Sequence, residues 1–481
     1  MSSAWRVASN EWRLMGRSRV AQIALLMLIT LSVIAALTSI THRDNSDAVR
    51  ARFQTQADKE FDGQPARHPH RMVHYGHFVF RPMPALAAFD PGIDAFTGST
   101  VFLEGHRQNS ANFGDVRQSS LLARFGQLTP AFVLQLLAPL VLVFIGFGAV
   151  SREREGGTLR LLFAHGVTAR SLMTGKALAL AGVGALMFAP AGLALSWLSL
   201  SEGAPPLETL GLGLAYMIYL FAWVMMIVIV SSLSRHSRTA LMALLGLWAT
   251  TTILVPRIAP DIAIAAAPLP TRLETDIAIM RDLHEIGDSH NPEDPHFAAF
   301  KARTLQQYGV QRVEDLPLNY RGLLAMEGEA LTSRLFDKYA RQQLAEQRRQ
   351  RTIATGFGLL SPAIALRSVS MALSGTDLEG HRRFLQQAES YRYDIVQRLN
   401  RLQAEEVTFA DDGNRNTDPE AGRRVKIDPA HWHEVPDFTY KGATVADKMT
   451  AALPGTALLL LWLLALGLAL RVVAGRLGTV L

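Results

Sequence analysis

Six apolar stretches, none with Asp, Glu, Lys or Arg through its middle, constrain this chain more than any other feature. They lie at 20–40, 131–150, 177–200, 209–233, 239–256 and 451–470. A helix needs about 20 apolar residues to cross the ~30 Å hydrocarbon core of a bilayer. The apolar fraction of 49% would suit a soluble protein, but its concentration into blocks between long polar segments would not. The pattern predicts an all-α integral membrane protein with six transmembrane helices. The first block is too long for the core of a cleavable signal, and no small-x-small site follows it closely. It reads as a signal anchor.

Lys and Arg in short flanking segments collect on the cytoplasmic side and set the orientation. Arg6, Arg13, Arg17 and Arg19 precede the first span. Arg152, Arg154, Arg160, Arg170 and Lys176 lie in the 151–176 connection, Arg235 and Arg238 in the next turn, and Arg471 and Arg476 in the 471–481 tail. The connection Ser201–Pro206 has no basic residue. One topology fits: both termini and 151–176 cytoplasmic, with 41–130 and 257–450 outside. The net charge of +6 is thereby largely accounted for as topogenic charge, and no nucleic-acid partner is expected. The apolar run Ile353–Leu366 is too short to span and contains Pro362. With the residues up to 373 it reads as an interfacial or re-entrant helix.

Residues 1–19 form a separate element. Trp5, Ala8, Trp12 and Met15 share one helical face, and Arg6, Asn10, Arg13 and Arg17 the other. An amphipathic helix in the cytoplasmic interface follows, anchored in the lipid headgroups by Trp5 and Trp12. The 257–450 segment has its own periodicity. Phe384, Ala388, Tyr391, Ile395, Leu399 and Leu402 define an amphipathic helix near 378–407, and Leu324, Leu331, Leu335 and Tyr339 another over 320–350. A mainly helical extracytoplasmic domain is expected, with a loop-rich end after Val407 and with 41–130 packed onto it.

The most informative stretch is Ser151-Arg-Glu-Arg-Glu-Gly-Gly-Thr-Leu-Arg-Leu-Leu-Phe-Ala-His-Gly-Val-Thr-Ala-Arg170, running on to Gly175-Lys176. Thr158 can cap a short helix. Leu159, Leu162 and Phe163 give it an apolar stripe, and Gly156-Gly157 and Gly166 break the chain on either side. Such a helix suits docking into a groove of a soluble partner. This stretch resembles the loop between the second and third spans of type-2 ABC exporter permeases. The matching residues are Glu153 or Glu155, Gly157-Thr158-Leu159, Leu161-Leu162, Val167-Thr168 and Gly175-Lys176. Gly166 stands where that family usually has proline. The six-span plan and the amphipathic N-terminal helix resemble the same family, in a subfamily with large extracytoplasmic insertions.

The resemblance implies a coupling role toward an ATPase for Glu153, Glu155, Gly157, Thr158, Leu159, Leu162 and Phe163. It implies a bacterial inner-membrane location, a second permease as partner (identical or a sister), and an export pathway formed by the pair. It implies ATPase subunits that bind ATP and Mg on a separate chain, and no cofactor here. Gly175-Lys176 is not a phosphate-binding loop, since that pattern needs Gly at 170 and Ser or Thr at 177, and the chain has Arg170 and Ala177. Nor do the spans carry the ionisable residues of ion-coupled carriers.

Cysteine is absent, which removes thiolate chemistry. Of fourteen histidines, all but His165 and His236 fall in the outer segments. His68, His70, His74 and His77 have spacings that could ligate zinc or copper, although a proline-rich loop also suits unligated surface imidazoles. The paired acids Glu405-Glu406 and Asp411-Asp412 read as solvated charge. Two other functions compete. A membrane-anchored extracytoplasmic binding or scaffold protein would not need six spans. An intramembrane enzyme would need an Asp pair or a Ser/His or His/Glu set within them, and there is none.

Overall fold

The computed structural model describes residues 2–112, 127–287, 291 and 294–479. Parts of the 41–130 and 257–450 segments and the last two residues of the tail lie outside these. The described residues are overwhelmingly helical. Helix α1 is Ser3–Arg17, and after a break at Ser18, α2 runs over Arg19–Asp62. Helix α3 is Pro69–Tyr75, α4 Pro130–Glu155, α5 Thr158–Ala164, α6 Ala169–Ser201, α7 Pro206–Leu233 and α8 Ser237–Ala266. Beyond these, α9 is Arg272–Ile286, α10 Pro295–Tyr308, α11 Tyr320–Gly356, α12 Pro362–Ser374, α13 Leu378–Glu406 and α14 Val445–Thr479.

Six of these, α2, α4, α6, α7, α8 and α14, are long and apolar enough to cross a membrane, and each contains one of the six apolar blocks. Local chemistry sets their starts. Ser18 caps α2, Thr129 caps α4 ahead of Pro130, and Thr168 caps α6. Helix α7 is the central span, with Tyr216, Tyr219 and Trp223 fully buried and 61% of its apolar window covered. Helices α8 and α14 are the least covered, at 17% each. One end of the bundle carries α1, α5 and the arginines around them, and is called the basic end below. The opposite end carries the two long polar segments and is called the domain end.

Helix α2 is longer than its apolar block. Its 44 residues give it about twice the length of the hydrocarbon core. Its last turns lie inside the domain, where Phe61 packs with Met72, Val73, Ile395, Leu399 and Trp432. A two-stranded antiparallel ribbon, β1 (His77–Phe80) with β2 (Thr100–Leu103), continues this core toward Phe384 and Ala388. The two polar segments thus build one domain. Helices α11 and α13 are its long pair, clamped by Arg392 of α13 between Glu329 (2.6 Å) and Glu389 (2.7 Å). Asp412 is fully buried and accepts from His68, Asn319, Gln403 and Arg415. Those bonds outweigh its desolvation and hold its carboxyl far below the usual range.

The Ile353–Leu366 stretch divides between two elements. Residues 353–356 end α11, and α12 starts at Pro362 with Ser361 as its cap. Interfacial and re-entrant placements both fitted the sequence, and the structure shows what the helix packs against. Helix α12 is wedged between α7 and α14, with Ala365, Leu366, Val369, Ser370 and Leu373 buried. Gly455 of α14 allows this, because a Cβ there would sit 2.6 Å from the Ala365 carbonyl oxygen. Trp462 Nε1 donates to the Gly358 carbonyl at 2.8 Å. The wedge thus sits alongside residues 455–462 of a span, within its apolar stretch.

Candidate functional site

At the basic end, the alternating Arg-Glu run closing α4 is divided between two neighbours. Glu153 turns toward α6, and its Oε1 lies 2.9 Å from Lys176 Nζ. Lys176 is almost fully buried, and its ammonium also reaches Glu11 Oε1 of α1 at 2.5 Å. Arg154 and Glu155 turn the other way. Arg154 donates to the carbonyls of Ser232 and Ser234, and Glu155 accepts from Ser237 at 2.5 Å with His236 at 3.4 Å. Below them, the Val150 and Ser151 amides donate to Ser231 Oγ at 3.0 and 3.1 Å. The segment therefore grips α1 and α6 on one side and the α7–α8 turn on the other.

The Gly175-Lys176 pair gains a physical explanation here. A Cβ on Gly175 would lie 2.6 Å from the Ala4 carbonyl oxygen, and one on Gly182 would lie 2.9 Å from the Trp12 ring. These glycines let α1 lie directly on α6, a contact extended by a Ser3–Ser171 hydrogen bond of 2.8 Å. Lysine then closes the junction electrostatically. Trp5 and Trp12 remain 55% and 44% exposed. Glu11, the second carboxylate on Lys176, was missed by sequence reasoning, because nothing local to Glu11 points to a partner 165 positions away.

Helix α5 is bounded by left-handed glycines, Gly157 at φ 74° and Gly166 at φ 81°. Neither has a neighbour where a Cβ would fall, so backbone conformation and not crowding requires glycine. Thr158 was expected to cap α5, but Gly157 occupies that place. Its left-handed turn brings Thr158 back over the end of α4, where the hydroxyl donates to the Glu153 carboxylate. Leu159 is buried in the bundle core, with Leu162 and Phe163 half-buried against it. That stripe faces the protein's own spans, so the surface left to a partner is Arg160, Leu161 and His165, with Leu161 60% exposed.

Toward the domain end, α4, α8, α12 and the loop after Asp90 enclose a cavity of about 350 Å³ lined by Asp90, Phe132, Gln135, Thr252, Arg367 and Met371. Both flanking spans lose regular α geometry beside it, with π segments at Val133–Leu137 and Ala249–Leu254. A polar chain runs along its wall. Gln135 donates to Tyr216 Oη at 2.7 Å, Tyr216 lies 3.0 Å from Ser370 Oγ, and Ser370 donates to Asp90.

The four histidines singled out by spacing separate. His68 caps α3, accepting from the His70 amide, and its Nε2 lies 3.1 Å from Asp412. His77 pairs with Asp58 at 3.0 Å and packs on Phe61. His70 and His74 lie together one turn apart, joined by His106, which local spacing did not single out.

A six-span bundle with a glycine-hinged element at one end and a cavity toward the other has the build of a multi-pass membrane protein. The model described as ABC-2 family transporter protein matches residues 5–298, more than half the chain, and the chain belongs to that family as a permease subunit of an ABC transporter. A second model, a domain of unknown function (DUF3526), matches residues 272–441. A search of the curated proteins finds no match.

Proposed function

We propose that the chain exports its substrate as one half of a paired permease, driven by separate ATPase subunits that dock on the 151–170 segment in the cytoplasm. The observation that carries this reading is the Lys176 junction. Through Glu153 and Glu11 it joins the segment bearing α5 to α1 and α6, while Arg154 and Glu155 join it to the α7–α8 turn. A push on the exposed Arg160–Leu161 face reaches four helices through these contacts. The basic end is then cytoplasmic, consistent with its arginines, and the domain lies outside the inner membrane. The sparse cover on α8 and α14 leaves apolar faces for lipid and for a second permease. The domain engages substrate or a periplasmic partner where the cavity opens.

The test is ATPase stimulation and transport by the reconstituted complex. Glu153→Lys with Glu155→Lys should insert and assemble but lose substrate-stimulated hydrolysis. Thr252→Trp, which fills the cavity, should block transport while the ATPase still binds. Wild-type stimulation in the first variant would overturn the coupling reading. Wild-type transport in the second would remove the cavity from the pathway.

A further inference from the structure

We propose that His70, His74 and His106 form a three-histidine site for a divalent transition-metal ion, zinc or copper, on the domain.

His70 and His74 are one turn apart on α3, so their imidazoles leave the helix on the same side, and their Nε2 atoms are 3.2 Å apart. Two nitrogens bound to one tetrahedral zinc at about 2.0–2.1 Å stand about 3.4 Å from each other. His106 enters from the turn after β2. One ligand nitrogen from each of the three lies within 4.8 Å of the others. A simple hydrogen bond between two neutral imidazoles would account for the His70–His74 contact. It does not account for His106.

His106 is the only non-glycine residue with positive φ, 62°, among the described residues. Its backbone amide donates to Glu329 Oε2 at 3.2 Å, and its Nδ1 lies 3.3 Å from the same oxygen. Glu329 is itself fixed by Arg392 at 2.6 Å. The other ring nitrogen, Nε2, is buried with no hydrogen-bond partner among the described residues. A carboxylate holding one nitrogen of an imidazole while the other is left for an ion is the usual outer shell of a histidine–metal site. A strained backbone kept in place by a buried ion pair adds to that reading.

The donor set selects the ion. Three imidazoles with no thiolate suit zinc and copper and reject calcium and magnesium, which take oxygen ligands. A bound ion would fasten α3 to the turn after β2 and, through Glu329, to α11. Its fourth position would remain open to water or to a ligand.

The experiment uses the full chain in detergent, purified without a histidine tag and stripped of metal. Zinc and copper are titrated separately by calorimetry, and cobalt serves as a spectroscopic probe. The expected result is one ion per chain, a tetrahedral cobalt spectrum, and a melting temperature raised by the preferred ion. His106→Gln and His74→Gln should each weaken binding by about 100-fold or more. His433→Gln, at an exposed site, should leave it unchanged. Failure of the wild-type chain to bind any of the three ions stoichiometrically would overturn the proposal. So would an octahedral cobalt spectrum, or unchanged affinity in a folded His106→Gln.

Discussion

Replacing Lys176 with methionine tests the junction at the basic end, because it keeps an unbranched stem of similar shape and removes the ammonium that bridges Glu11 and Glu153. Lys176 is 4% exposed at its side chain, while Glu11 and Glu153 are 15% and 22% exposed. Breaking a fully buried ion pair costs about 3–5 kcal/mol, whereas an exposed pair contributes about 0–1 kcal/mol. With both carboxylates partly hydrated, about 2 kcal/mol is expected, or roughly a 30-fold rise in the population with α1 detached from α6. The chain has no cysteine, so a cysteine placed at buried Ala8 on α1 is a unique reporter. Its labelling by a water-soluble thiol reagent should speed up by about 30-fold in Lys176→Met, since the rate follows the open fraction. Substrate-stimulated ATPase activity should fall in parallel. Labelling rates within about twofold of each other would mean that the lysine does not hold the junction.

Three further outcomes are expected. Reporter fusions at residues 100 and 400 should read outside and fusions at 160 and 478 inside, and a cytoplasmic signal at 400 would break the six-span topology. Gly157→Val, forced to the left-handed φ of 74°, should cost about 1–3 kcal/mol locally and uncouple hydrolysis without loss of expression; normal stimulation would show that the hinge is not required. The domain should be acid-labile in two windows. Burial, with Arg81 nearby, lowers His381 from 6.5 to about 4, so the unfolded chain takes up a proton first and stability declines as pH falls from 6.5 toward 4. Arg348 and Arg382 lower Glu379 from 4.5 to about 2, so its contribution is present above 4.5 and lost from there down to 2. Melting curves of His381→Asn and Glu379→Gln should each flatten only in their own window.

What could be read in the sequence was what repeats locally. The six spans were legible because apolar windows of bilayer length have no other cheap solution, and α13 was expected over 378–407 and occupies Leu378–Glu406. The extension of α2 to Asp62 was not legible, since residues 41–62 are largely polar and only Arg50 and Phe61 among them are buried. The placement of α12 was not legible either. Its Pro362 start and small residues suit a surface helix as well as a wedge, and the glycine that decides between them, Gly455, is on another span. In the candidate site, the acidic and hinge residues stood out by motif. Their partners did not, because Glu11, Ser231 and Ser237 meet them only through tertiary packing. The histidines show the same limit. Spacing grouped His68 and His77 with His70 and His74, but Asp412 and Asp58 draw the first two away and the β-ribbon brings in His106.

The length of α2 has a mechanical consequence. It leaves α1 after a single-residue break at Ser18, crosses the bundle and ends inside the domain core at Phe61, without a proline or glycine between its ends. At 1.5 Å per residue its 44 residues make a rod of about 66 Å, so a 5° tilt at the basic end would swing the far tip by about 6 Å. Because Asp58 and Phe61 on that tip are fastened to His77 and Met72, the domain would be carried with it and not left behind on a slack tether. A small rotation at one end of the bundle would thereby be geared up into a large stroke at the other.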